Sequence, residues 1–451
     1  MTYEEARKFV TNAARKGSIL GLDSITALME ELGNVQEHLK IVHIAGTNGK
    51  GSTLAYLLAI LQSAGYRTGR YNSPAVFDYL EIFSINGKSI SEENYAKYME
   101  MVMQACERLE KKGMDRPTAF EIETAMAYIY FYYEKCEIVL IETGMGGDED
   151  ATNVVRNTLL SLISPISLDH MQFLGNTITE IAGHKAGIIK DNSAVITAMQ
   201  KKEVLEVIRQ CAEKKNAYFG ICGTPKHVRY DSGGENETEK LTSFDYEGAD
   251  VRIADIRAAY DSADNGEMMR GLQTRLNGAF QPYNACLAIA AALYLAQKGF
   301  TITGQDIRTG VKNAKWGGRF EKLRDTPLIY FDGGHNPGAA VFIRKSIEIY
   351  FTNKRIVYII GVLADKDYDS VLRETAALAD YIVTITPDNP RALDGKLLKE
   401  AVMKYHTRVT YADSIEEALK HATAKAGTDG VVFIFGSLSY LLEIKQSVIN
   451  I

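Results

Sequence analysis

Cysteine is scarce in this chain: five residues among 451, scattered singly, with no C-x-x-C pair and an odd total. That usage leaves no disulfide framework and no thiolate zinc site, and it points to a reduced, cytoplasmic protein. Long apolar runs are missing as well. The longest, Ala285 to Ala296, is too short to span a bilayer. The opening Met1-Thr2-Tyr3-Glu4-Glu5-Ala6-Arg7 reads as a charged helix rather than a signal peptide. No basic tract offsets the formal charge of −6, which argues against nucleic acid as a partner. Also absent are H-E-x-x-H, G-x-S-x-G, the kinase H-R-D set and a guanine-reading N-K-x-D element. The sequence therefore offers no support for zincin, nucleophile-elbow hydrolase, protein-kinase or GTPase chemistry.

What is present has the balance of a globular protein, 46% apolar and 24% charged. Its length exceeds one ordinary core and suggests roughly two or three domains. Strand-like runs end repeatedly in short loops that open helices: Ile41–Ala45, Ile138–Ile141, Leu159–Pro165, Ala194–Ala198, Leu328–Phe331, Ile356–Gly361, Tyr381–Ile385 and Val431–Phe435. Strands alternating with helices predict parallel α/β sheets. The stretch Gly223–Arg275 breaks this rhythm with the polar turn Asp231-Ser232-Gly233-Gly234 and the alternating pieces Leu241–Tyr246 and Asp250–Ile256. Antiparallel strands are expected there. A second α/β set follows the helix Asn284–Lys298, which places a domain boundary near Gly299 and divides the chain into 1–298 and 299–451.

The most informative segment is Ile41-Val42-His43-Ile44-Ala45-Gly46-Thr47-Asn48-Gly49-Lys50-Gly51-Ser52-Thr53. A β-branched strand enters a glycine-rich turn with one lysine and hydroxyls, and Leu54–Leu61 continues as a helix. Glycines let backbone N–H groups curl around an anion, and the helix N-terminus adds partial positive charge. Lys50 would reach the terminal phosphates, while Ser52 or Thr53 could touch magnesium. Ile44 stands where strict Walker A spacing wants its first glycine, and Gly51 separates Lys50 from Ser52. This is a sub-type of phosphate loop.

Other segments carry chemistry with more than one reading. The strand Glu137–Glu142 ends in a carboxylate before Thr143-Gly144-Met145-Gly146-Gly147. That is where a magnesium ligand is wanted beside a phosphate loop, although a capping or solvated glutamate fits too. His170, in Ser167-Leu168-Asp169-His170, suits metal or phosphate contact or a structural place. Lys185 sits on a mixed helix whose lysines are solvated by default. The only tryptophan begins Trp316-Gly317-Gly318-Arg319; the arginine fork suits a phosphate, a carboxylate or a structural ion pair. Asp332-Gly333-Gly334-His335-Asn336-Pro337 is an acid–glycine–histidine turn at a strand end, a place that holds ligands.

Together these segments resemble the folylpolyglutamate synthase / dihydrofolate synthase family within the Mur ligase superfamily. The likeness runs in order along nearly the whole chain. It includes Gly46–Ser52, Asn72-Ser73-Pro74, Thr118-Ala119-Phe120-Glu121, Glu142–Gly147 with Asp150-Ala151-Thr152-Asn153, and Leu168-Asp169-His170-Met171. It continues through Lys185-Ala186-Gly187-Ile188, Gln281 with Asn284-Ala285, Trp316–Arg319, Asp332–Pro337 and Asn389-Pro390-Arg391-Ala392-Leu393. The resemblance implies a Mur-ligase-like P-loop ATPase domain, with a mostly parallel sheet and a small antiparallel subsheet, followed by a smaller Rossmann-like domain on the glutamate side. It implies ATP-dependent addition of L-glutamate to a reduced folate, with dihydropteroate as a possible further acceptor, in a monomer. Thr47, Asn48, Gly49, Lys50, Gly51, Ser52, Gln281, Asn284, Arg319 and Asp332 would bind ATP. Ser52, Ser73, Glu142 and His170 would hold Mg2+, at two sites. Ser73, Pro74, Thr118 and Phe120 would face the acceptor. Lys50, His170, Lys185 and His335 would act in catalysis, with Lys185 at the position this family carbamylates.

The chain also departs from the family pattern. Members usually follow Ser-Pro with His-Leu and place two arginines around a glutamate. Here Ala75 replaces the histidine, Leu80 and Ile82 flank Glu81, and Asp148-Glu149 stands where Arg-Leu is usual. The nucleotide and metal positions are kept while cationic contacts on the acceptor side are lost. The rival expectations are therefore a Mur-type ligase acting on another carboxylate, and a non-catalytic nucleotide-binding module.

Overall fold

The computed structural model describes residues 1–14, 17, 20–230, 241–248 and 268–449. Three sheets organise them. The first has eight strands: β1 (Ile41–Ala45), β2 (Thr68–Tyr71), β3 (Phe83–Ile85), β4 (Lys88–Ser89), β5 (Ile138–Glu142), β6 (Leu160–Ile163), β7 (Ala194–Thr197) and β8 (Tyr218–Ile221). They lie in the order β4-β3-β2-β5-β1-β6-β7-β8. Along that order all neighbours from β2 onward pair in parallel, and only the β2–β3 and β3–β4 pairs at one edge are antiparallel. A separate antiparallel sheet holds β9 (Thr224–Tyr230), β10 (Thr242–Glu247) and β11 (Met268–Thr274). β10 covers most of the expected strand Leu241–Tyr246. The expected turn at Asp231–Gly234 and strand at Asp250–Ile256 lie outside the described residues.

The third sheet contains β12 (Glu321–Asp325), β13 (Leu328–Asp332), β14 (Ile356–Ile360), β15 (Tyr381–Thr384), β16 (Val409–Tyr411) and β17 (Val431–Phe435). Its order is β12-β13-β17-β14-β15-β16, parallel except for β12. The central strands β1, β5, β6, β14 and β17 are buried on both faces. That explains their unbroken apolar runs, since helices cover both sides of a parallel sheet.

One face of the first sheet packs on the helices Lys50–Ser63 and Gln281–Gln297. Each is apolar almost all round, as a helix enclosed by protein must be. The other face packs on Tyr3–Ala14, Asp23–Glu31, Glu92–Lys111 and Ala119–Tyr133 at β2, β5 and β1, and on Ile178–Ala186 and Lys202–Lys214 at β6 and β7. The helix Gly304–Asn313 lies beyond the boundary expected at residue 299. Yet Ile302, Ile307, Val311 and Ala314 join the same core as Leu54–Leu61, and its Gly310 lies directly on Ile60. Packing therefore carries the first unit past residue 299 to Ala314, because this helix buries its apolar stripe there. Two further cores cover the faces of the six-stranded sheet.

Candidate active site

The carboxyl ends of β1, β5 and β6 face those of β13 and β17 across a cleft of about 680 Å³. Ligands gather at such strand ends in open α/β sheets. The phosphate loop forms its floor. Gly49 caps the helix Lys50–Ser63 at φ +87°, a left-handed conformation that a side chain would strain. Lys50 Nζ donates to Gly46 O at 3.2 Å and stands 3.8 Å from Glu142 Oε1.

Glu142 ends β5. Its carboxylate is buried, accepts no hydrogen bond among the described residues, and is pushed above the usual carboxylate range by desolvation against the opposing pull of Lys50, Arg319 and Arg70. A buried carboxylate in that condition is suited to a cation. Ser73 and His170 line the same cleft. Burial lowers the His170 imidazole to about 4, with Lys366, Lys50 and Lys185 adding to that shift and Asp169 opposing it. The ring is thus neutral at physiological pH and free to ligate. Among the described residues no three acidic, histidine or cysteine side chains converge as a metal cluster. Magnesium needs no such cage: it typically takes one or two protein carboxylates and fills its octahedron with phosphates and water. The residues present fit that mode.

Lys185 is buried at the end of the helix Ile178–Ala186, with Nζ donating to Gly46 O at 2.9 Å. Desolvation, then the neighbouring Lys50 charge, lowers its amine to about 7. Asp169 is held well below the usual carboxylate range: burial would raise it, but the nearby His335 ring and the Lys366 ammonium prevail. His335 Nε2 lies 3.6 Å from Asp169 Oδ2 and its Nδ1 lies 3.0 Å from Gly333 O.

Several expected ligand contacts turn out to be occupied by the protein itself. Thr47 Oγ1 donates to Ser167 O and accepts from Ser167 N, both at 3.1 Å. The Asn48 amide exchanges two 3.0 Å hydrogen bonds with Asn336 across the cleft. Asp332 spends its oxygens on the N–H groups of Phe320 and Gly334, at 2.8 and 2.7 Å. It thereby anchors the turn that carries His335. Gln281 lies beneath the cleft rather than in its lining, donating to the buried Ser52 Oγ at 3.4 Å and accepting from Asn284. Gly51, Ser73, Pro74, Asn284 and Arg319 line the cleft, and so do Thr47, Asn48, Gly49, Ser52 and Asp332.

Thr118 and Phe120 do not line it. Thr118 completes a capping box with Glu121 at the start of the helix Ala119–Tyr133. The half-buried Phe120 stacks on Tyr71 at 6.2 Å and packs on the first unit's core.

Sequence reasoning passed over Lys366, whose buried ammonium pairs with Asp169 at 2.7 Å. Arg391, Tyr283, Ser437 and Ser439 also line the cleft unforeseen as contacts. For Lys366 the signal was available: it follows closely on β14, a strand end like that of Glu142.

Two family models match the chain, "Mur ligase middle domain" over residues 44–292 and "Mur ligase, glutamate ligase domain" over 318–438. The dihydrofolate synthase/folylpolyglutamate synthase of Bacillus subtilis is 34% identical over 446 residues, spanning 98% of each chain. The folylpolyglutamate synthase of Lacticaseibacillus casei is 32% identical over 100% of this chain and 99% of its own. The solved Mycobacterium tuberculosis folylpolyglutamate synthase complexed with ADP superposes with a TM-score of 0.85 at 27% identity, covering 99% of this chain and 98% of that one. Among the described residues no helix is long and apolar enough to cross a membrane. The fold, the cleft and these likenesses converge: this chain belongs to the folylpolyglutamate synthase / dihydrofolate synthase family of Mur ligases.

Proposed function

We propose that the chain joins L-glutamate to a reduced folate at the cost of ATP, with dihydropteroate as a second acceptor. The observation that carries this reading is the single cleft onto which Lys50, Glu142 and His170 of the first unit and Arg319 and His335 of the second all open. The double name of the Bacillus subtilis relative supports the second acceptor.

The folate carboxylate attacks the γ-phosphorus of ATP, the bond to ADP breaks, and an acyl phosphate results. The glutamate amine then attacks the acyl carbon, phosphate leaves, and the amine proton passes to a base. Negative charge gathers in both steps, so positioned cations and N–H donors supply the catalysis. The phosphate-loop N–H groups and Lys50 hold the terminal phosphates, and Arg319 approaches them from the other unit. Ser52, Ser73, Glu142 and His170 would hold magnesium, which supplies Lewis-acid neutralisation of the phosphate oxygens. His335 stands beside the transferring group, and Lys366 and Arg391 offer cations to the amino acid's carboxylates. Closure of the two units, which we divide after Ala314, keeps water from the acyl phosphate.

Lys185 is suited to carbamylation. An amine near neutrality is partly unprotonated, adds to CO2 through a new N–C bond, and releases one proton. Intact mass measured with and without bicarbonate tests this directly. The unpaired cysteines support a reducing, cytoplasmic setting, and we take the chain to act as a monomer.

An acceptor panel tests the main reading. With ATP, Mg2+ and glutamate, phosphate release should depend on tetrahydrofolate and on dihydropteroate and not on a UDP-muramyl acceptor. Release with the UDP-muramyl compound alone would transfer the assignment to another Mur-type ligase, a reading that the altered residues Ala75, Leu80, Ile82 and Asp148 favour.

A further inference from the structure

The acceptor-side loop 72–82 has lost the family's histidine and both arginines, and the structure contains a different arrangement in their place. Glu81, which those arginines would flank, turns its carboxylate back into its own loop. Its Oε1 accepts from the backbone N–H groups of Val76 and Phe77, the latter at 3.1 Å. Behind it, Arg70 on β2 donates through Nη2 to Glu81 O at 2.8 Å and lies 5.3 Å from the Trp316 ring. The short 3-10 helix Tyr79–Ile82 is pinned from the other side. Asp78 caps Leu80 N, and Tyr79 OH donates to the half-buried Glu123 while Arg7 covers the Tyr79 ring.

Held this way, the tip of the loop reaches the second unit. Val76 and Phe77 pack on the core formed by Ile329, Phe331, Ile434 and Leu441. The Phe77 ring sits so close to Gly317 that a Cβ there would come within 2.7 Å of it. Lys445 Nζ lies 4.1 Å from the Phe77 ring centroid and pairs with Glu321 at 2.6 Å. Ala75 and Val76 meanwhile remain in the cleft lining. One short segment therefore contacts the ligand cleft and inserts an aromatic anchor into the opposite unit.

We propose that Phe77 and Glu81 are positioning residues for the acceptor. Glu81 stiffens the loop, Phe77 seats it on the second unit, and this strap replaces the cationic contacts absent at positions 75, 80 and 82. The proposal rests on the folate-ligase reading for its acceptor, but the strap itself can be observed without turnover. Trp316 is the sole tryptophan. Its indole lies against Gly51 of the phosphate loop, and the Phe77 ring rests on its chain neighbour Gly317.

The experiment uses the full chain with Phe77→Ala, Phe77→Leu and Glu81→Ala. In the ligand-free protein, acrylamide quenching of Trp316 should rise in Phe77→Ala and Glu81→Ala and stay at the wild-type level in Phe77→Leu, which keeps an apolar anchor. In steady-state assays KM for tetrahydrofolate should rise about tenfold in the two alanine variants, the size of one charge-assisted hydrogen bond or its packing equivalent. KM for ATP and kcat at saturating folate should stay within about twofold, since neither residue contacts the reacting atoms. A purely structural role would instead lower activity in proportion to folded protein, with KM unchanged. Unchanged quenching in the alanine variants overturns the strap. Altered quenching with an unchanged folate KM overturns its positioning role. A wild-type chain that ignores every folate sinks the functional reading, while quenching still decides the strap.

Discussion

At the residue scale the decisive group is Lys50. Its ammonium sits at the start of the helix Lys50–Ser63, close to a buried carboxylate, where a developing phosphate charge is little screened. Lys50→Ala should lower kcat by about 10²- to 10³-fold or more, the cost of removing a transition-state donor. Near-normal phosphate release in that variant would refute the loop assignment. His43, one strand position before Ile44, shows a different physics. Its ring is fully buried on β1, its Nε2 meets Thr152 Oγ1 at 2.9 Å, and burial with the nearby Lys190 charge lowers it from 6.5 to about 3. The unfolded chain takes up a proton near 6.5 that the folded chain refuses until about 3. His43 therefore contributes stability above pH 6.5 that is lost as pH falls toward 3. Replacing it with Gln should flatten the acid limb of a urea-stability profile by about 1.4 kcal/mol per pH unit. Parallel wild-type and variant profiles across that window would rule out the buried imidazole as the source of the slope. The phosphate loop could be read in advance because its chemistry is local in sequence. The burial of His43 could not, because an imidazole's environment is set by sheet order.

At the element scale, strands β1, β5, β6, β7, β13, β14, β15 and β17 could be read from their apolar runs, whereas β3, β4 and β16 could not. These are short pieces at or near sheet edges, where pairing rather than burial defines the strand. The helix Ala119–Tyr133 shows how a local signal can serve two accounts. Thr118 is expected from the resemblance to face the acceptor, yet its hydroxyl donates to Glu121 Oε2 at 2.8 Å and accepts from Glu121 N at 3.4 Å. The same Thr-x-x-Glu spacing is a capping signature, and the cap claims the hydroxyl. Thr118→Ala should destabilise the protein by about 1 kcal/mol, and Thr118→Ser should restore it. Equal melting temperatures for wild type and Thr118→Ala would return the residue to the acceptor contacts. The boundary expected at residue 299 moved for a similar reason. A turn ends there, but the helix after it carries an apolar stripe that fits the first unit's core.

At the scale of the whole molecule, the two units meet through polar groups that no local pattern announces. Asn48 and Asn336 exchange amide hydrogen bonds, and Lys366 reaches Asp169 with both side chains about nine-tenths covered. Asp169 lies after β6 in the first unit and Lys366 after β14 in the second, so only assembly brings them together. A buried pair of this kind adds little over apolar packing, but breaking it strands a charge at a cost of about 3–5 kcal/mol. Lys366→Met should therefore lower the melting temperature and enlarge the radius of gyration of the ligand-free protein as the units part. Asp169→Asn should do the same, because it strands the buried Lys366 ammonium even though the asparagine can still bond Asn336. The double variant should be less destabilised than the two single changes summed, with a coupling of about 1–3 kcal/mol from denaturant melts. Additive losses would mean that the pair is incidental and that the units are held by their other contacts, among them the strap, the asparagine exchange and the packing of Phe280 and Tyr283 on Phe342.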